Sequence, residues 1–285
     1  MVTADFFELL TDCFIDTVRL FPFLFLVYVL MEYLEHRSGE KTERLIKNAG
    51  SLGPLFGGLL GMLPQCGFSA AAAGLYTGGI LTAGSLLAVF LSTSDEMLPV
   101  LLSKGMAIGL IVKILCLKAF CAMISGFLVD LSHIFKKPDK EITDLCEEAD
   151  CHCEEKSIFA SALHHSLQIM VFLFIISLLA GMLILLIGEE RIMLLSSKGF
   201  IIGQMIAGLV GLIPNCAISV LLTGLYVDGV ISGGILFSGL LVSAGVGILT
   251  LIRLNHDRKE NIKLLAVLYV LGVFWGVLID LFHII

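Results

Sequence analysis

The chain has 285 residues and a formal net charge of −7, with 58% hydrophobic and 15% charged residues; a soluble domain carries about 25% charged residues. With a mean hydropathy of +0.99, this composition excludes an ordinary soluble globular protein. The chain also has no basic patch of the kind that binds nucleic acid. What is left is an all-α integral membrane protein.

Read in chain order, MVTADFFELLTD lacks a basic leader and a small-residue cleavage site, so a cleaved signal peptide is not expected. The apolar run Leu20–Met31 ends in a polar loop, 35–48, that holds Arg37, Lys41, Arg44 and Lys47. Gly53–Leu63 and Phe68–Tyr76 follow, each too short to span alone, since a crossing takes ~20 residues. Pro64 breaks the helix between them, so a re-entrant hairpin or two tilted helices are expected. Ile80–Leu91 leads into LSTSDEMLP (91–99), and a further apolar segment ends in GFLVDLSHI (126–134).

An acidic linker, KKPDKEITDLCEEADCHCEEK (136–156), separates this part from a second one. There the run Met170–Ile187, a polar loop at 188–198, short segments at 203–213 and 217–226, a polar loop at 253–263 and the run Leu264–Leu281 complete the chain. The expected organisation is a first transmembrane repeat over 1–135, a cytosolic linker over 136–157 and a second repeat over 158–285.

The two parts are copies. GLLGMLPQCGFS (58–69) matches GLVGLIPNCAIS (208–219) at an offset of 150 residues, the distance from Pro64 to Pro214. At the same offset Gly74-Leu75-Tyr76 falls on Gly224-Leu225-Tyr226, and Asp130 and His133 fall on Asp280 and His283. Equivalent loops differ in basic charge. Loop 188–198 has only Arg191 and Lys198, against four basic residues in 35–48; Arg253, Arg258, Lys259 and Lys263 in 253–263 face a lone Lys104 around 103–105. Basic loops prefer the cytoplasmic side. The two halves are therefore expected to be inverted, each with an odd number of crossings. Linker and loop 35–48 would be cytosolic and both termini outside.

Several groups could carry chemistry. Pro64-Gln65-Cys66 and Pro214-Asn215-Cys216 each place an amide and a thiol at a helix break. Carbonyls freed there can hold a cation, and amide N–H groups near Ser69 or Ser219 can face an anion. The alternative is close helix packing with Cys as a small hydrophobe. Ser92, Thr93, Ser94, Asp95 and Glu96 form a dense oxygen patch with apolar flanks, and a carboxylate at mid-bilayer costs about 2.5–3.5 kcal/mol on insertion scales. The second half has Val242, Ser243, Ala244, Gly245 and Val246 there, so the scaffold is duplicated but this charge is not. Asp130/His133 and Asp280/His283, at i, i+3, could hold a metal or relay a proton; the alternative reading is interfacial residues ending apolar helices. Cys146, Cys151, His152 and Cys153 in the linker could make a soft-metal site, or be plain solvated linker. The eight cysteines are scattered, mostly in apolar stretches, so no disulfide framework is expected.

Residues 63–99, LPQCGFSAAAAGLYTGGILTAGSLLAVFLSTSDEMLP, together with the duplicated proline–cysteine break and the Cys/His linker, resemble the ten-helix heavy-metal exporters of bacteria and archaea. These are also described as arsenic efflux-like proteins or manganese transporters. The resemblance implies ten helices in two five-helix halves, a multi-pass protein of the plasma membrane, and export of a metal or metalloid. It carries over to Pro64, Gln65, Cys66, Ser94, Asp95, Glu96, Pro214, Asn215 and Cys216.

Ligand chemistry ranks the ions. Gln65, Asn215, the serines, Asp95 and Glu96 are hard oxygen donors suited to Mn²⁺, whereas Cys66 and Cys216 suit Zn²⁺ or arsenite. Oxygen donors outnumber thiols and alone include fixed charge, so a divalent cation such as Mn²⁺ is expected, ahead of an arsenite or organoarsenical permease. No nucleotide-binding motif appears, which makes protons the expected coupling ion. An intramembrane lipid-phosphate hydrolase is the alternative of another class, but it needs convergent basic residues to hold phosphate, and Arg19, Lys113 and Lys118 are scattered. A passive channel or metal sensor is a third reading. A homodimer is compatible with the sequence.

Overall fold

The computed structural model describes residues 52–62, 67–93, 97–135 and 201–285, with scattered positions between 10 and 29 and between 163 and 182. Among these residues every regular element is helical. The first half supplies α1 (Gly53–Leu60), α2 (Gly67–Thr77), α3 (Ala83–Ser92), α4 (Met97–Ser103) and α5 (Ile108–Leu131). The second supplies α6 (Ile202–Gly211), α7 (Cys216–Val227), α8 (Gly233–Val242), α9 (Val246–Leu254) and α10 (Arg258–Leu281). Each second-half helix begins and ends within a residue or two of its counterpart displaced by 150 positions.

Local chemistry sets these boundaries. Pro54 sits in the first turn of α1, where its missing N–H costs nothing. Thr82 and Ser232 cap α3 and α8 by accepting from Ser85 N and Ile235 N, and Asp257 caps α10 by accepting from the amides of Lys259 and Glu260. Such caps satisfy donors that the helix cannot. As expected from the sequence, α1, α2, α6 and α7 are too short to span alone.

Among the described residues four stretches are long and apolar enough to cross a membrane: Ala83–Ser103, Ile108–Leu131, Gly233–Leu254 and Arg258–Leu281. The chain is a multi-pass membrane protein. Two of these spans are interrupted. α3 stops at Ser92 and α4 opens at Met97; α8 stops at Val242 and α9 opens at Val246. Gly245 makes the second break with φ 51° and ψ −130°, a conformation essentially restricted to glycine.

The interrupted spans form the centre and the continuous ones the rim. The most apolar window of Gly233–Leu254 is 89% buried, whereas that of Arg258–Leu281 is 28% buried. α5 turns Val112, Phe120, Phe127 and Leu128 outward, and α10 turns Val270, Phe274 and Leu281 outward, as contact with acyl chains requires. Glycines let centre and rim touch. A Cβ on Gly84 would lie 2.2 Å from the Gly126 carbonyl oxygen, and one on Gly234 would lie 2.2 Å from that of Gly276. Small residues bring membrane helices to this distance.

The halves interleave. α9 packs on α2, and α4 packs on α7, so the second part of each interrupted span rests on the short helix of the other half. The Lys113 ammonium donates to the Ile284 carbonyl at 2.6 Å, and Lys263, its equivalent, donates to the Ile134 carbonyl at 2.6 Å. The start of α5 thus lies beside the end of the chain after α10, and the start of α10 beside the residues after α5. Between these contacts Trp275 Nε1 donates to Ser125 Oγ at 2.7 Å, joining two positions that are equivalent in the repeat.

Candidate ion-binding site

Both interrupted spans present freed backbone at the centre of the molecule. In a continuous helix the carbonyl of Leu240 would accept from the amide of Ala244. Here α8 has ended, and Ala244 N donates instead to Val242 O at 2.9 Å. In α3 the Thr93 amide still donates to Val89 O at 3.0 Å, but Thr93 itself has left the helix with ψ 130°. The carbonyls of Thr93 and Leu240 converge on one partner, the Nζ of Lys118 on α5, which donates to both. Lys118 has no exposed surface at all.

Of the expected site residues the structure describes only some. Pro64, Gln65, Cys66, Ser94, Asp95 and Glu96 lie outside the described residues, as do Cys146, Cys151, His152 and Cys153 of the linker. Ser94, Asp95 and Glu96 follow Thr93 directly in the chain and precede α4. Ser92 is fully buried, and its hydroxyl donates to Val89 O at 3.1 Å and to Gly57 O at 3.4 Å. Ser69 is fully buried on α2, where α9 passes so closely that a Cβ on Gly247 would come within 2.7 Å of the Ser69 Cβ. Ser219 is buried on α7, and its carbonyl accepts from the Thr223 hydroxyl at 2.6 Å. Pro214 precedes α7; Asn215 caps that helix by accepting from Ala217 N at 2.8 Å, and Cys216 opens it.

The two Asp/His pairs sit elsewhere. Asp130 accepts from Thr82 Oγ1 at 2.7 Å and from Gly84 N at 2.8 Å. Asp280 repeats this with Ser232 Oγ at 2.6 Å and Gly234 N at 2.7 Å, and also accepts from Gln204 Nε2. Each carboxylate therefore faces the N-terminus of an interrupted span, where the helix dipole favours negative charge. His133 and His283 are exposed and take left-handed φ values of 48° and 47° where α5 and α10 end. Among the described residues no three His, Cys, Asp or Glu side chains are grouped to hold a metal.

Sequence reasoning missed two features. Lys118 stood out only as a scattered lysine, although an ionisable residue in the middle of an apolar span is itself a signal of function. The break at 243–245 lacks proline, and a single glycine marks it.

The model of the family described as "Putative, 10TM heavy-metal exporter" matches residues 2–198 of the chain. The match takes in the first half, the linker and the opening of the second half. Residues beyond 198 are tied to it by the internal repeat. No curated protein and no solved structure matches the chain.

Proposed function

The chain belongs to the ten-transmembrane heavy-metal exporter family, and from that premise we propose that it exports a divalent first-row cation, Mn²⁺ foremost, by alternating access between two inverted halves. The observation that carries this reading is the pair of interrupted spans whose freed carbonyls meet at the centre. Broken helices that line a cavity at mid-membrane are the usual ion sites of repeat-built transporters. Inversion is supported by the reciprocal contacts of Lys113 with Ile284 and Lys263 with Ile134. They set the start of each long rim helix beside the end of the other.

Asp95 and Glu96 supply the charge that selects a cation, with Ser94, Gln65 and Asn215 as neutral oxygen donors. Protons are the coupling ion we favour, one of the two carboxylates exchanging a proton for the metal. The protein would lie in the plasma membrane of a bacterium or archaeon, with the linker cytosolic and both termini outside.

The test is Mn²⁺ flux in proteoliposomes, with and without a pH gradient. Asp95→Asn and Glu96→Gln should each lower gradient-driven flux at least tenfold. Unchanged flux in both would sink the carboxylate mechanism. Flux of arsenite in place of Mn²⁺ would move the site to Cys66 and Cys216.

A further inference from the structure

We propose that the carbonyl ends of α3 and α8 form a cation site already filled by a tethered cation, the Lys118 ammonium, and that a substrate cation and this ammonium occupy it in turn. The first part stands on the structure alone. The second rests on the reading of the chain as a cation exporter.

Lys118 lies midway along α5, fully buried. A charge so placed must be compensated by hydrogen bonds and opposing charge. Two main-chain oxygens, Thr93 O and Leu240 O, supply part of that compensation. Both belong to helix C-termini, each of which carries roughly half a negative charge. Two such ends from two different halves meet at one point, which is an electrostatic setting for a cation and a hostile one for an anion. Leu240 O is available because α8 breaks and Ala244 N turns to Val242 O.

Main-chain carbonyls that accept from an ammonium are equally suited to ligate a hard metal ion. Two positive charges a few ångströms apart repel strongly in so low a dielectric, so the site holds one or the other. The lysine stem is long and flexible, which lets its head withdraw without moving α5.

Departures from repeat symmetry point to the same place. The residue equivalent to Lys118 is Leu268, and those equivalent to Asp95 and Glu96 are Gly245 and Val246. Thus the buried base and the pair of acids both belong to the first half, the base bonded to Thr93 and the acids near Thr93 in the sequence. The acids follow it after Ser94, and the lysine is bonded to its carbonyl.

The test uses the full chain in detergent and two readouts. In the first, Mn²⁺ binding is measured directly. Lys118→Met should bind Mn²⁺ at least tenfold more tightly than the wild type, and Lys118→Arg, which keeps the charge, no more tightly. Unchanged or weaker binding by a folded Lys118→Met overturns mutual exclusion. In the second readout, Lys118→Ala is purified and heated with millimolar methylammonium or with the same concentration of tetramethylammonium. Methylammonium should restore several degrees of thermal stability and tetramethylammonium, which has no N–H, none. Equal behaviour with both salts overturns the tethered-cation site. So does failure to recover folded Lys118→Ala even with methylammonium, since a site open to a small cation would have accepted it. Rescue by methylammonium with no Mn²⁺ binding by the wild type would leave the ammonium site standing and remove Mn²⁺ as substrate. Mn²⁺ flux by the wild type with neither variant effect would leave export standing and remove this proposal.

Discussion

At the scale of single residues, Asp130 and Asp280 illustrate how one spacing supports two chemistries. Asp and His at i, i+3 share a helix face, which suits a metal or a proton relay. In the folded protein each carboxylate instead reaches across to another helix and accepts from a hydroxyl and a main-chain amide at the start of an interrupted span. Nothing local reveals this, because the partners are 46 and 48 residues away. Removing the carboxylate leaves a buried amide without an acceptor, which costs about 1–3 kcal/mol. Asp130→Ala and Asp280→Ala should therefore both lower the melting temperature in detergent. Asp280→Ala should lower it more, because Gln204 also loses its acceptor. An Asp280→Ala protein as stable as the wild type would refute the anchoring role.

At the scale of elements, the short helices were legible because proline and glycine announce them. The segments expected at 53–63, 68–76, 203–213 and 217–226 appear as α1, α2, α6 and α7 with boundaries shifted by a few residues. The break between α8 and α9 was not legible, since Val242 to Val246 is an apolar stretch that reads as continuous helix. Gly245 decides it, through a φ and ψ that other residues reach only under strain. Gly245→Ala should cost about 1–3 kcal/mol of stability and, by disturbing the Leu240 carbonyl, should impair transport as well. Gly109, with open space around it, is the control: Gly109→Ala should leave both unchanged. Thermal unfolding and flux measured side by side check the contrast, and a Gly245→Ala protein indistinguishable from Gly109→Ala would show that the break tolerates any residue.

For the whole molecule, the reciprocal lysine contacts set α5 and α10 antiparallel, and the proposed inversion expects these two helices to cross the bilayer in opposite directions. Ser103, the last residue of α4, and His256, between α9 and α10, lie shortly before α5 and α10, and both are exposed. Single cysteines at the two positions, in a chain lacking its own accessible thiols, should react with an impermeant maleimide from opposite sides of the membrane. Labelling from one and the same side would end the inverted reading. Trp275, the one tryptophan of the chain, bonds Ser125 across the boundary between the halves. If the halves rock against each other during transport, its fluorescence should shift when Mn²⁺ is added. No change during demonstrated flux would confine the motion to other contacts.

The sequence by itself determined that this is a membrane protein, duplicated, with short apolar segments punctuated by Pro64 and Pro214 and with a carboxylate pair in one copy alone. Composition, repetition and helix-breaking residues are local or statistical properties, and they survive without coordinates. The tertiary structure alone decided what meets what. Asp130 and Asp280 cap distant helices, α9 rests on α2 and α4 on α7, and Lys118 binds carbonyls 25 and 122 residues away. Such contacts are fixed by packing a whole bundle, in which a main-chain carbonyl becomes a ligand only when its helix stops and another helix brings a donor to it.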